Sequence, residues 1–343
     1  MHRFFASDNG SGIHPNILEA LAKANVGHTK GYGYDVYTRQ AEEEFRKLFG
    51  AQVEVFFVYS GTGANVLSLQ SCLQSFEAVV CSDTAHIYTD ETGAPEYNLG
   101  VKLIALPSVD GKISVGQLDK ILIGRGVEHH VQPKVISLTQ STEYGTVYSL
   151  EEVKAISAFC RRHDLYLHMD GARIANALAS LNCSPNAFFS EAGVDILSFG
   201  GTKNGMLMGE AVVVFREELA RTMKYRRKQS LQLYSKMRFM SAQFSAYFAS
   251  GLWLDLAQHS NQMARYLARE LGGLGEQIRI TRPVEANGVF CILPNGIEEQ
   301  LMEQFPFYYW NEEEREIRLM CSWDTRTDDI DALVEATRKL MPK

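Results

Sequence analysis

From residue 53 onward the chain alternates short apolar runs with helix-length segments, and this alternation restricts its fold more than any other feature. An unbroken apolar run of strand length suits a strand buried on both faces, and a helix between two such runs returns the chain so that they pair in parallel. The strand candidates are VEVFFVY (53–59), AVVCSD (78–83), VKLIALP (101–107), KVISLTQ (134–140), LYLHMD (165–170), DILSFG (195–200) and AVVVF (211–215). Helical stretches lie between them, one from Thr62 to Leu73 and one opened by the capping box Ser149-Leu150-Glu151-Glu152 and running to about His163. The expected fold is α/β: a three-layer αβα large domain around a mostly parallel seven-stranded sheet.

Beyond residue 216 the texture changes. A long helical region runs to about Leu274, and its most apolar part, Phe239 to Ala257, is expected to be one tightly packed internal helix. Strand-like RITRPV and GVFCILP follow, then EIRLMCSW (316–323) and a closing helix from Asp328 to Leu340, which together predict a small C-terminal α+β domain. A length of 343 residues accommodates two domains. The division is expected near residue 245: a large domain over 1–245, with an N-terminal arm of about 1–15, and a small domain over 246–343.

The formal net charge of −7 gives no general attraction for nucleic acid or anionic membrane. The one basic run, Lys224-Tyr225-Arg226-Arg227-Lys228, continues a helical pattern and reads as a solvated helix face, with a phosphate contact as the other reading. The six cysteines are scattered, with no CxxC pair and no metal-ligand spacing, so no metal is expected. No window reaches the uninterrupted apolar length of a membrane helix, and the start MHRFFASDNGSG lacks a secretion signal's apolar stretch. A cytoplasmic, reducing location is expected.

Five places look chemical. Lys203 is the sole ionisable residue in ILSFGGTKNGMLMG, so it reads either as a desolvated amine able to attack a carbonyl or as a lysine snorkelling from a glycine-rich turn. Asp170 ends a strand with Arg173 three residues on; it reads as a partner for a cofactor's ring nitrogen or as a cap on the next helix. Ser60-Gly61-Thr62-Gly63-Ala64-Asn65 opens a helix after the first strand and suits a phosphate, or is simply a tight turn. His86 follows another strand end and could stack on a flat ring or move protons, or could be structural; His129 and His130 read as surface loop residues. Arg318, in an apolar strand, needs an anion, either a substrate carboxylate or a structural ion-pair partner.

In chain order, FASDNGSGIHP, GYGYDVYT, SGTGAN, TAHIYTDETGA, HMDGARIANAL, SFGGTKNG and IRLMCSWD span nearly the whole sequence. The series resembles the low-specificity L-threonine aldolases, pyridoxal-phosphate enzymes of the aspartate-aminotransferase fold. The resemblance implies carbon–carbon cleavage of L-threonine, L-allo-threonine and related β-hydroxy-α-amino acids to glycine and an aldehyde; a β-eliminating lyase or an aminotransferase of the same fold is the alternative. It makes Lys203 the Schiff-base lysine, Asp170 the partner of the pyridine nitrogen and His86 the residue stacked on the ring. Gly61, Thr62 and Gly63 would cradle the phosphate. Arg173 would reach the cofactor and the substrate carboxylate, with Ser7 and Arg318 completing the clamp, while His86 or an ordered water takes the β-hydroxyl proton. A homodimer or homotetramer with active sites at subunit contacts is implied, with Lys228 or Lys236 approaching a neighbour's phosphate. Two departures stand out: Ser141-Thr142-Glu143 where family members often carry Asn-Thr-His, and Ser230-Leu231-Gln232 where a glycine-rich stretch is common.

Overall fold

Each of the seven apolar runs becomes a strand in the computed structural model, which describes residues 3–294 and 296–341. They are β1 Glu54–Val58, β2 Glu77–Ser82, β3 Lys102–Leu106, β4 Gln132–Thr139, β5 Tyr166–Gly171, β6 Ile196–Gly200 and β7 Glu210–Val214. The sheet order is β1-β7-β6-β5-β4-β2-β3. β2 through β6 pair in parallel, whereas β7 runs antiparallel to both β1 and β6. Every residue of β6 and β7 is buried, as unbroken apolar runs require when helices cover both faces. Because β2 has β3 on one side and β4 on the other, the chain's direction of travel reverses there, and a crevice opens at the carboxyl ends of β2, β4, β5 and β6.

Under β6 lies an aromatic cluster. Phe45 packs edge-on against Phe199, Phe244 and Phe248 at centroid separations of 5.3, 5.2 and 4.8 Å. Such pairs add about 0.5–1.5 kcal/mol each beyond area burial and give the end of β6 a stiff backing.

A second core belongs to an antiparallel sheet of β8 Arg279–Ile280, β9 Gly288–Ile292, β10 Tyr308–Asn311 and β11 Glu316–Met320, ordered β10-β11-β9-β8. The helices Leu252–Gly272 and Thr327–Leu340 cover it. The N-terminal arm joins this core: Phe5 is fully buried, donates its N–H to the Pro306 carbonyl (2.8 Å) and accepts from the Met320 N–H (2.7 Å). The helix Leu252–Gly272 reaches both cores, with Trp253, Leu256 and Ala257 in the first and Ala264, Leu267 and Leu271 in the second.

Two expectations are corrected, and one strand is added. The segment Phe239 to Ala257 is not one helix: Met237–Phe248 ends at Ala249–Gly251, where Ser250 (φ 53°) and Gly251 (φ 78°) take left-handed conformations before Leu252–Gly272 begins. RITRPV is a strand only at Arg279–Ile280, since Pro283 has no N–H for a ladder. The edge strand β10 arises from FPFYYWN, which the sequence reading passed over. Among the described residues no helix is long and apolar enough to cross a membrane, and all six cysteines are free thiols.

Candidate active site

The carboxyl ends of the central strands open onto a cleft of about 630 Å³, whose lining includes Ser7, His86, Glu143, Arg173, Lys203 and Arg318. The aromatic residues of β10 wall one side of it. A smaller inner cavity of about 50 Å³, lined by Gly61, Thr62, Asn65, Asp170 and Ala172, shares His86, Glu143, Arg173 and Lys203 with the cleft.

Lys203 sits in the short turn Thr202–Asn204 that follows β6. The turn is pinned on every side: the Asn204 carboxamide donates to the Tyr247 hydroxyl (2.6 Å) and the Trp253 carbonyl (2.8 Å), and Gly209 N–H donates to Thr202 Oγ1 (3.1 Å). Gly205, at φ 98°, accepts the His14 N–H (2.9 Å) and reverses the chain where an L side chain would be strained. The Lys203 amine has no hydrogen bond or ion pair among the described residues. Burial, and then the charge of Arg173, push it below the ordinary lysine range, toward the neutral, nucleophilic form.

Facing it, a chain of polar contacts crosses three elements. His86, at the start of the helix His86–Thr89, meets Glu91 Oε1 through Nδ1 at 2.9 Å; that hydrogen bond, opposed by burial, raises the imidazole's pKa. The Asn65 carboxamide bridges Glu91 Oε1 (2.9 Å) and Asp170 Oδ2 (2.8 Å), while Asp170 Oδ1 accepts the Ala172 N–H (3.0 Å). Asp170 therefore does engage the start of the next segment, yet it also lines the inner cavity.

At the opening of the helix Gly61–Cys72, the Gly61 and Thr62 amides belong to the first turn, lack intrahelical acceptors and border the inner cavity. Gly63 stands apart. Its N–H is taken by Ser60 Oγ (3.1 Å), and a Cβ built on it would lie 2.3 Å from Gln232, whose carboxamide covers it. The basic run forms the helix Met223–Gln229 but is not simply solvated: Arg226 donates to the Gln70 carbonyl, and Arg227 to that of Phe57 at 3.2 Å. Lys228 lies 5.5 Å over the Tyr32 ring, and neither it nor Lys236 lines either cavity.

On the other wall Arg173 is gripped by Asp8, a residue the sequence reading passed over. Nε and Nη2 donate to the two carboxylate oxygens at 2.7 and 2.8 Å, and Asn287 adds a third bond at 3.1 Å. Against its burial, these contacts hold the Asp8 carboxyl below the usual range. Ser7 caps the turn Asp8–Gly10 by accepting the Asn9 N–H (3.2 Å) and still borders the cleft. Arg318 has no carboxylate partner among the described residues: it donates to the Ala6 carbonyl (3.3 Å) and lies 4.8 Å over the Trp310 ring. Burial and the nearby Arg173 push its pKa down to about 10, which leaves it cationic at neutral pH.

Among the described residues, five buried polar atoms without a partner lie on residues lining these two cavities: Asn65 Oδ1, Glu91 Oε2, Ser141 Oγ, Glu143 Oε2 and Arg318 Nε. Folded interiors rarely leave polar atoms unmatched, so their concentration here marks a place for a polar ligand. Among the described residues no group of three or more His, Cys, Asp or Glu side chains is arranged to hold a metal ion.

A polar crevice around a lone amine, at the strand ends of a mostly parallel sheet, suits a lyase, and the model of the beta-eliminating lyase family matches residues 5–295. The chain belongs to that family. It is 46% identical over 338 residues to the low specificity L-threonine aldolase of Pseudomonas aeruginosa, covering 98% of this chain and 97% of that protein. It is 44% identical to the enzyme of the same name from a Pseudomonas species, with the same coverage. The solved structure of Leishmania major threonine aldolase superposes with a TM-score of 0.93 at 32% identity, over 98% of this chain and 99% of that one. These likenesses bear out the resemblance carried by the sequence motifs.

Proposed function

We propose that the chain is a pyridoxal-phosphate-dependent aldolase that cleaves L-threonine, L-allo-threonine and related β-hydroxy-α-amino acids to glycine and an aldehyde. The observation that carries this reading is the Lys203 amine, unpaired among the described residues and held below its ordinary pKa, which lines one cavity with His86, Asp170 and several unmatched polar atoms.

The residues fit pyridoxal phosphate. Lys203 would offer the amine for its aldehyde, the Asp170 carboxyl would suit the ring nitrogen, His86 would lie against the ring, and the free first-turn amides of Gly61 and Thr62 would suit the phosphate. Gly63 then supports the cradle through its close packing rather than by donating. When bound, the cofactor supplies an electron sink for a bond broken at Cα. The chain's part is orientation. Arg318, Ser7 and the donors of Arg173 left over from Asp8 would hold the substrate carboxylate and so fix the orientation of the bonds at Cα. Asp8 locks the Arg173 guanidinium in one direction beforehand. The exposed Tyr32, Tyr34, Tyr59 and Leu231 suit burial against a second copy, in a homodimer or homotetramer working in a reducing, cytoplasmic setting.

The test is incubation of the cofactor-loaded protein with L-threonine. Equal amounts of acetaldehyde and glycine are expected; a keto acid with ammonia would instead establish β-elimination, and a keto acid with aminated cofactor would establish transamination.

A further inference from the structure

Glu143 lies just beyond β4 on the rim shared by the cleft and the inner cavity. One carboxylate oxygen is committed: Oε1 accepts the His86 backbone N–H and the Thr139 hydroxyl, each at 2.8 Å. The other, Oε2, is buried and has no partner among the described residues. A fixed carboxylate with one free oxygen beside Lys203 and Arg173 is equipped to exchange a proton with whatever fills the cleft.

Resting on the aldolase reading above, we infer that Glu143 is a catalytic residue: its Oε2 takes the proton of the substrate's β-hydroxyl during cleavage and returns it to the aldehyde oxygen during the reverse addition. The O–H bond breaks and its electron pair becomes the second bond of the aldehyde C=O. The Cα–Cβ bond breaks with its pair left at Cα; a proton from solvent added there completes glycine, and Glu143 gives the hydroxyl proton back to solvent, so the turnover balances. No further oxidant or reductant is required.

The electrostatics agree. Burial pushes the Glu143 carboxyl up to about 7, where a base is neither locked as the anion nor too weak to accept. Asp170 adds to that rise, and the ionisable groups around it include His86, Cys81, Tyr148, Arg173 and Lys203, with Glu91, Asp83, Asp90 and Arg318 on the same two cavities. His86 presents its backbone N–H to this carboxylate while its ring is engaged by Glu91, so the two side chains hold separate positions.

Glu143→Gln is the decisive variant, because the amide oxygen retains both Oε1 hydrogen bonds and only the free oxygen is replaced. With wild type releasing aldehyde from L-threonine, the variant is expected to bind the cofactor normally and to exchange the α-proton of glycine at an unchanged rate. Its kcat for cleavage should fall by about 10²–10⁴-fold, with KM little altered and the acidic limb of kcat/KM gone. A second reading uses the cofactor-free protein: a ¹³C-labelled glutamate carboxyl that titrates near neutrality should disappear in the variant, while the signal of Glu210, also pushed up to about 7, remains. Cleavage within about threefold of wild type, equal loss of glycine exchange, or no neutral-titrating signal removed would each overturn the assignment. Wild type that releases no aldehyde at all would instead refute the aldolase reading itself.

Discussion

Asp8→Asn tests whether a buried ion pair organises the carboxylate wall. Asp8 is 1% exposed, and Arg173 donates to both of its oxygens at 2.7 and 2.8 Å. Asparagine keeps the shape but strands a largely buried guanidinium, 16% exposed at the cleft, a loss that costs up to about 3–5 kcal/mol. A chain of 343 residues, at about 2.1 cal/mol/K each, unfolds with an entropy near ~0.7 kcal/mol/K, so the midpoint should fall by about 4–7 °C. Calorimetry of the cofactor-free protein at neutral pH reads this directly. Adding Arg173→Met removes the stranded charge and should recover at least half of the loss. The sign with pH is fixed by the lowered Asp8 pKa: the pair contributes fully above the unfolded carboxyl's value and is lost as pH falls through the folded one. Wild type and variant should therefore converge on acidification. A fall below about 1 °C at neutral pH, or single losses that simply add in the double variant, would refute the reasoning.

Three further outcomes follow from particular contacts. His168, buried between the hydroxyls of Ser137 (2.8 Å) and Ser198 (3.0 Å), has its pKa pushed down to about 4 by desolvation. The unfolded state then binds the extra proton first, so stability should drop on the order of 3 kcal/mol between about pH 6.5 and 4; His168→Gln should flatten this slope in urea titrations. Gly200→Ala would bring a Cβ to 2.5 Å from the Ala172 carbonyl, and the forced separation of β5 from β6 should weaken cofactor binding by about tenfold or more in an absorbance titration. Asn65→Ala leaves Glu91 and Asp170 without the donor between them and should cost about 1–3 kcal/mol in chemical denaturation.

What was legible in the sequence follows the range of the forces involved. The seven strands of the large sheet could be read because burial on both faces demands unbroken apolar runs, and Lys203 because a single charge in such surroundings is conspicuous. Asp8 could not be read, since its partner lies 165 residues away and FASDNGSG has the composition of an ordinary turn. Asn65 did carry a signal: a polar side chain within a helix that buries Ala64, Val66 and Leu67 has to find partners. Gly63 looked equivalent to Gly61, yet the Ser60 cap takes its amide. Glu143 registered only as the absence of a histidine, because its free oxygen is a property of the packed site. FPFYYWN held enough aromatic residues to suggest a strand, and the break at Ser250 carried a signal in Gly251, which takes φ 78°.

The central claim is that the Lys203 amine carries the cofactor. Borohydride reduction of the pyridoxal-phosphate-loaded protein, followed by peptide mapping, is predicted to leave the pyridoxyl mark on the peptide containing Lys203 and to leave Lys203→Ala unmarked. A mark on a different lysine, or an equally marked Lys203→Ala, would contradict the account.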